Sequence, residues 1–277
     1  MNDERAMEFR RLHEPGQLLV LPNAWDAGSA RLVESCGATA IATTSSGVSW
    51  ACGYPDGDAL PPRLLAAAVS RIARVLSVPL TVDIEGGYSA EPRLVGEVVT
   101  AVVDAGAVGI NLEDGAGSPA LLCAKIEAAK KAAARAGVDL FVNARTDVFL
   151  RGLASPERAV EETIERARQY GAAGCDGVFT PRASDPRAIR ELATAIALPL
   201  NVMVLPNLPP VAELRRLGVR RVSAGSAIAQ AAHAITRRAA SQLLGDGRYD
   251  AMFEAAVAYG ELNALFQERD AGPSVKT

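Results

Sequence analysis

Asp83 and Glu85 stand two residues apart in the run Val82-Asp83-Ile84-Glu85-Gly86-Gly87-Tyr88, at the end of the apolar segment Val78-Pro79-Leu80-Thr81-Val82. In an extended strand, residues two apart point to the same face, so both acids are expected to project together. Like charges brought to one spot repel unless something positive lies between them. A hard divalent cation, Mg²⁺ or Mn²⁺, suits such oxygen donors. The alternative is that one acid points inward and the other is solvated.

Other strand-like runs end in chemistry of the same kind. Thr43-Thr44-Ser45-Ser46-Gly47 is small and polar, able to approach a carboxylate with hydroxyl and backbone N–H donors, and a loop then leads to Gly53-Tyr54-Pro55-Asp56-Gly57-Asp58. Glu113-Asp114 and Asn143-Ala144-Arg145-Thr146-Asp147 close two further runs. A single polar strand end usually only solvates a loop. Acids from several ends beside one Arg, a residue suited to pairing with a carboxylate, describe a site instead.

The elements that must carry these residues alternate along the whole chain. Strands are expected at Leu18–Leu21, Thr39–Thr43, Leu80–Ile84, Ala107–Leu112, Leu140–Ala144, Gly177–Thr180, Leu200–Val204 and Arg220–Ala224. Helical patterns lie between them, such as Leu64, Leu65, Ala68, Ile72 and Val75 on one face. Ser118-Pro119, Ser155-Pro156-Glu157 and Asp185-Pro186 each set a capping residue before a proline. Eight βα units predict a (β/α)₈ TIM barrel, whose site sits at the C-terminal strand ends. A doubly wound sheet is the second choice, weakened by the lack of GxGxxG after the first strand. The organisation expected is a single barrel domain over 1–277, with an N-terminal helix over 1–16 and a helical extension over 245–277. Within that extension Met252, Phe253, Ala256, Val257, Leu262, Leu265 and Phe266 form an apolar face that a closed barrel does not need. This favours an oligomer.

Bulk properties exclude several classes. With 277 residues, 49% hydrophobic, the chain can bury a full core, and a net charge of −3 with mixed signs gives no footprint for nucleic acid or an anionic membrane. No apolar run approaches a membrane span, and Met1-Asn2-Asp3-Glu4-Arg5 lacks the apolar stretch of a signal peptide. Cys36, Cys52, Cys123 and Cys175 show neither CxxC nor zinc spacing, as expected of a reduced cytoplasmic protein. His13 precedes the barrel and His233 falls inside a helical pattern, so neither reads as a proton shuttle.

Taken together and in order, Leu21-Pro22-Asn23-Ala24-Trp25-Asp26, Ser46-Gly47-Val48, Gly53-Tyr54-Pro55-Asp56, Val82–Tyr88, Asn111-Leu112-Glu113-Asp114 and Asn143–Asp147 resemble the isocitrate lyase/phosphoenolpyruvate mutase superfamily, over residues from about 17 to 230. The resemblance implies a barrel, a Mg²⁺ ion, small 2-oxo or 2-hydroxy carboxylate substrates, and a dimer of dimers that exchanges its last barrel helix. Carried over residue by residue, it implies that Asp83, Glu85 and Glu113 hold the metal, directly or through water. Glu85 stands where the family usually has Asp. It further implies that Asp56 is an acid on a mobile loop beside the substrate, that Arg145 pairs with substrate oxygens, and that Ser45, Ser46 and Gly47 grip the carboxylate. Asn201 is a looser candidate for lining the site.

The chain also departs from the superfamily. Its carbon–carbon lyases carry a Lys-Lys-Cys-Gly-His-type loop after the strand ending at Leu112, whereas here Gly115-Ala116-Gly117-Ser118-Pro119 runs straight into a helix. Cys123 lies nearby, but Leu121-Leu122-Cys123-Ala124-Lys125 reads as helix and its thiol as packing. The longer Lys- and Asn-bearing loop of the phosphonate mutases and hydrolases is missing too. The strand-six glutamate of the lyases is replaced by Phe179-Thr180-Pro181-Arg182; Arg182 either meets a second substrate carboxylate or pairs with Asp185. Gly225-Ser226-Ala227 reads as a plain turn, with an anion site as the alternative. The expected activity is a Mg²⁺-dependent (Mn²⁺ possible) carbon–carbon lyase of the oxo-acid lyase or decarboxylase type, working through an enolate. The alternatives are P–C bond chemistry on a phosphonate and a 2-oxo acid binding protein without turnover.

Overall fold

The computed structural model describes residues 2–267. A first helix, α1 (Asn2–Arg11), precedes nine strands, β1 (Leu19–Leu21), β2 (Asn23–Ala24), β3 (Ile41–Thr43), β4 (Leu80–Asp83), β5 (Gly109–Glu113), β6 (Phe141–Arg145), β7 (Gly177–Phe179), β8 (Leu200–Met203) and β9 (Arg221–Ser223). Between them run α2 (Ala27–Ser35), α3 (Ser45–Ala51), α4 (Pro62–Val75), α5 (Pro92–Asp104), α6 (Pro119–Arg135), α7 (Val148–Arg151), α8 (Ala159–Ala172), α9 (Pro186–Ala195) and α10 (Val211–Arg216). After β9 come α11 (Ala227–Gly245), a 3₁₀ turn (Asp250–Met252) and α12 (Tyr259–Gln267).

All nine strands are parallel in the order β1-β9-β8-β7-β6-β5-β4-β3-β2. The two ends of that order are consecutive in sequence, so the sheet closes into a TIM barrel of eight staves. The expected first strand, Leu18–Leu21, is observed as β1, and the short β2 continues the same stave. Pro22, which lacks an N–H, separates β1, paired with β9, from β2, paired with β3. Ser118 and Asp185 cap α6 and α9 through Leu121 N–H (3.3 Å) and Ala188 N–H (2.9 Å), each with proline at the first helical position, as the sequence predicts.

α1 plugs the N-terminal mouth. Phe9 is fully buried, and His13 stacks on Phe141 with ring centroids 4.1 Å apart. Phe9 fits only because Gly109 has no side chain: a Cβ there would lie 2.8 Å from Phe9 Cε1. His13 Nδ1 bonds Phe9 O at 2.8 Å, so Nδ1 carries the hydrogen. Burial, with the Arg221 charge adding to it, pushes the imidazole down to about 3. The unfolded chain protonates this histidine near 6.5 while the native chain keeps it neutral, so its contribution to stability is complete above pH 6.5 and is lost as pH falls toward 3. Urea unfolding of wild type and His13→Phe from pH 7.5 to 4.5 should show a constant difference above pH 7. Below pH 6 the difference should drift in favour of the variant by about 1.4 kcal/mol per pH unit; a flat difference would mean His13 is protonated in the native state.

The barrel interior above this plug is polar. Asn111 Oδ1 accepts from Asn143 Nδ2 (2.9 Å) and from Arg221 Nη2 (3.1 Å), and Asn143 Nδ2 also donates to Asn201 Oδ1 (3.0 Å). No helix among the described residues is long and apolar enough to cross a membrane.

Candidate active site

The C-terminal rim encloses a cavity of about 260 Å³. Ser45, Ser46, Asp56, Asp83 and Arg145 line it, with Asn111 and Ser223 in its floor and Asn23, Thr44, Phe179, Pro181, Met203, Gly225 and Ser226 among its walls. A larger groove of about 500 Å³ between α9 and α10 is open to solvent and shares no residue with this cavity. The small rim cavity lies at the C-terminal strand ends and brings Asp56, Asp83, Arg145 and the Ser45 and Ser46 hydroxyls together.

Each side chain arrives by a local cause. Ser45 and Ser46 open α3 beside Thr44, whose Oγ1 lies 3.1 Å from Ser46 Oγ. Gly47 is not in the lining; it lets α3 seat tightly, since a Cβ there would lie 2.8 Å from both Thr44 Cγ2 and Trp25 Cβ. Asp83 ends β4, where its carboxylate accepts the Glu85 N–H (3.1 Å) and an Asn111 side-chain bond. Asp56 sits on the exposed stretch between α3 and α4.

Arg145, the last residue of β6, is the cation of the site. Its Nη1 meets Glu113 Oε2 at 2.5 Å, and its Nε and Nη2 meet the two oxygens of Asp147 at 2.7 and 3.1 Å. A guanidinium has five N–H donors; Asp147 takes two of them and Glu113 pairs with Nη1, while the side chain still lines the cavity. Burial opposes its charge, but Glu113, Asp147 and Asp83 outweigh burial and hold it protonated. Asp83 is pushed up by burial, with Arg145 opposing. Glu113 is pushed up to about 8, by burial first and by Asp83, Asp147 and Asp58 beyond what Arg145 offsets. Acids thus exceed cations here, and the site is electrostatically short of positive charge.

The shared-face expectation for Asp83 and Glu85 is overturned. β4 ends at Asp83, and Glu85 adopts a left-handed backbone (φ 52°) that turns its carboxylate away from the cavity. Its oxygens accept from Gly57 N–H, Asp58 N–H and the Tyr88 hydroxyl. Glu113 is tied to Arg145 and lies behind the lining. Asn201 is fully buried beneath the floor, donating to Ser223 Oγ at 3.2 Å, so it supports the cavity without lining it. Asp114 also turns away, toward Arg166 and Tyr170. Arg182 is exposed at φ 67°, and Asp185 caps α9. Gly225 N–H is taken by Asn23 Oδ1 (2.9 Å). Cys123 lies within α6, its thiol pushed up by burial and by Glu127.

Among the described residues no three Asp, Glu, His or Cys side chains converge into a ready metal cage. The donor chemistry nonetheless fits Mg²⁺, which binds through one or two carboxylates and keeps water and substrate oxygens for the rest. Asp83 offers a hard carboxylate in the cavity, in a setting short of positive charge.

Asn23, Asn111 and Ser223 are lining residues to which residue-type reasoning assigned no role. Their signal was a polar side chain on a barrel strand, Asn23 in β2, Asn111 in β5 and Ser223 at the end of β9.

The family model described as phosphoenolpyruvate phosphomutase matches residues 9–244. The chain belongs to the phosphoenolpyruvate mutase family. It thereby lies within the isocitrate lyase/PEP mutase superfamily, as the motifs implied. It is 40% identical over 263 residues to a protein of uncharacterized function from Mycobacterium tuberculosis (strain ATCC 25618 / H37Rv), covering 93% of this chain and 95% of that one. It is 32% identical to the oxaloacetate decarboxylase of Paraburkholderia xenovorans (strain LB400), covering 79% of this chain and 74% of that one. Among solved structures, a phosphonopyruvate hydrolase complex with oxalate and Mg²⁺ superposes with TM-score 0.83 at 25% identity, covering 96% of each chain. Family membership therefore spans lyases, mutases and hydrolases.

Proposed function

We propose that the chain is a Mg²⁺-dependent lyase that cleaves a C–C bond of a small 2-oxo or 2-hydroxy dicarboxylate. The observation that carries this reading is the rim cavity, sized for a small diacid and lined by Arg145, Asp83 and the Ser45 and Ser46 hydroxyls. Asp83 would hold the ion, with Glu113 supporting from behind Arg145. When bound, Mg²⁺ supplies electrophilic stabilisation of the negative charge that develops on a 2-oxo oxygen. The N–H groups of Arg145 that Asp147 does not hold bind and orient a carboxylate, and the Ser45 and Ser46 hydroxyls hold its other end. In a 2-oxo diacid such as oxaloacetate, the bond from C3 to the departing carboxylate breaks and its electron pair passes into the C2–C3 bond and the 2-oxo oxygen. CO₂ leaves and C3 takes a proton to give the 2-oxo monoacid. Asp56, exposed and in the cavity lining, would hand on that proton, directly or through water. The tight turn Gly115–Ser118 in place of a Lys-Lys-Cys-Gly-His loop fits a reaction that asks for no cysteine acid.

P–C bond chemistry is the second reading, favoured by 30% identity to the chloroplastic carboxyvinyl-carboxyphosphonate phosphorylmutase of Arabidopsis thaliana. No lysine lines the cavity to meet a phosphoryl group.

Thermal shift with pyruvate, oxaloacetate, 2-oxoglutarate and phosphonopyruvate, each with Mg²⁺ and with EDTA, tests both, since a ligand of the native state raises Tm by mass action. A Mg²⁺-dependent shift with oxaloacetate and release of pyruvate are expected. Phosphate release from phosphonopyruvate would install the second reading, a shift without product would make the chain a binding protein, and no shift with any acid would end the proposal.

The assembly is proposed to be a homodimer or homotetramer. Ile228, Ile235 and Leu243 lie exposed along one stripe of α11, with Leu244 at 86% exposure beside it. Spacings of seven and eight residues describe a helical packing seam, and a second copy of the chain is its natural occupant. Sedimentation should show an oligomer that Ile235→Glu shifts toward monomer; a monomeric wild type would reject this.

A further inference from the structure

Three non-glycine residues with left-handed backbones crowd one corner of the rim: Asp58 (φ 56°), Glu85 (φ 52°) and Tyr88 (φ 59°). Such conformations persist only where the surroundings over-determine them. Here the surroundings are one another. Glu85 Oε2 accepts from Gly57 N–H (2.7 Å) and Asp58 N–H (2.5 Å), and Glu85 Oε1 accepts from the Tyr88 hydroxyl (3.1 Å). Asp58 Oδ1 accepts from Tyr88 N–H (3.1 Å), and Asp58 Oδ2 lies 2.8 Å from where a Cβ on Gly86 would be. Lys125 Nζ holds the same turn from below by donating to Gly86 O (2.6 Å).

The stretch tied down in this way carries Asp56. Tyr54 N–H donates to Ser49 O (2.8 Å) at its near end, and Leu60 is buried at its far end, while residues 55–59 between them are exposed. The Glu85 carboxylate and the Asp58–Tyr88 bond are the links from the middle of this loop to the barrel. We propose that Glu85 is a positioning residue, a latch that holds the 55–59 loop across the cavity mouth and so places Asp56, rather than a ligand of the metal. A carboxylate serves because its two oxygens reach the two loop N–H groups and the Tyr88 hydroxyl at once. The longer arm of Glu, in place of the Asp expected from the family, gives the reach that clasping an opposite loop needs. The consequence for turnover rests on the proposed role of Asp56; the latch itself does not.

The test compares Glu85→Ala, Glu85→Gln and Tyr88→Phe. Deuterium uptake of the peptide spanning 53–60 should accelerate at least tenfold in E85A. It should stay within threefold of wild type in E85Q, whose amide oxygen still accepts both N–H groups. The affinity for Mn²⁺ alone, read from the free-ion electron paramagnetic resonance signal, should change less than threefold in either. Oxaloacetate turnover should lose at least tenfold in kcat in E85A and recover in E85Q. If E85A does not fold, Tyr88→Phe takes its place, with an expected threefold or greater rise in uptake. Unchanged uptake in the variants overturns the latch. So does a tenfold loss of Mn²⁺ affinity in both E85A and E85Q, which would make Glu85 a ligand. A wild type inert toward oxaloacetate refutes the functional reading alone, because uptake is measured on the protein without substrate.

Discussion

Asp83→Asn should abolish every Mg²⁺-dependent thermal shift by 2-oxo acids while leaving the melting temperature of the free protein equal to wild type or higher. Burial pushes the Asp83 carboxyl up, so its charge is held in the fold at a cost. Asn keeps the shape and an oxygen for the Glu85 N–H, and it removes the desolvated charge. What it cannot supply is an anionic oxygen for a hard cation. Loss of that electrophile should cost about 4 kcal/mol of transition-state stabilisation, roughly a thousandfold in turnover. Such a trade of stability for activity is common at functional sites. Calorimetric titration of the variant with oxaloacetate, with and without Mg²⁺, checks it; metal-dependent binding that survives would remove Asp83 from the metal site.

Asp114→Ala should have the opposite profile, a large loss of stability from a residue outside the cavity. Asp114 Oδ1 accepts the Asp147 N–H (2.9 Å), and Oδ2 accepts from Arg166 Nη1 (2.8 Å) and the Tyr170 hydroxyl (2.6 Å). Tyr170 is fully buried and Arg166 is 8% exposed, so the variant leaves the phenol without its acceptor and the guanidinium with only Glu162, at 2.7 Å from Nε. Breaking a buried pair by deleting one partner costs about 3–5 kcal/mol, and the retained Glu162 pair sets the expected loss at the lower end of that range. Urea unfolding should show that loss at an unchanged m-value; a loss below about 1 kcal/mol would mean that water takes over the carboxylate's role. The same deletion loosens Asp147, which anchors Arg145, so weaker carboxylate binding should accompany it.

The barrel was legible because its signals are local and repeated. Apolar runs of strand length, alternating with helices that begin at Ser118-Pro119 or Asp185-Pro186, fix the layering without any long-range information. The rim acids and Arg145 were legible because a parallel barrel delivers strand ends to one face. The alternation argument failed at Glu85 because it holds only while the backbone stays extended, and the strand stops at Asp83. It could not reveal that Gly57 and Asp58, nearly thirty residues earlier, present two N–H groups that claim the Glu85 carboxylate. Asn201 failed for a related reason, since depth along a stave depends on how neighbouring strands are staggered, and the register Phe179↔Asn201↔Arg221 sets it beneath the floor.

Residue types and their order thus determined the barrel, its family, and which strand ends carry acids. The tertiary structure decided which of those acids face the cavity. Asp83 lines it, Glu113 is paired to Arg145, Glu85 latches a loop, and Asp114 braces a helix. The physical reason is that a carboxylate leaving water goes to the best donors within reach, and those donors come from segments distant in sequence that only folding brings together.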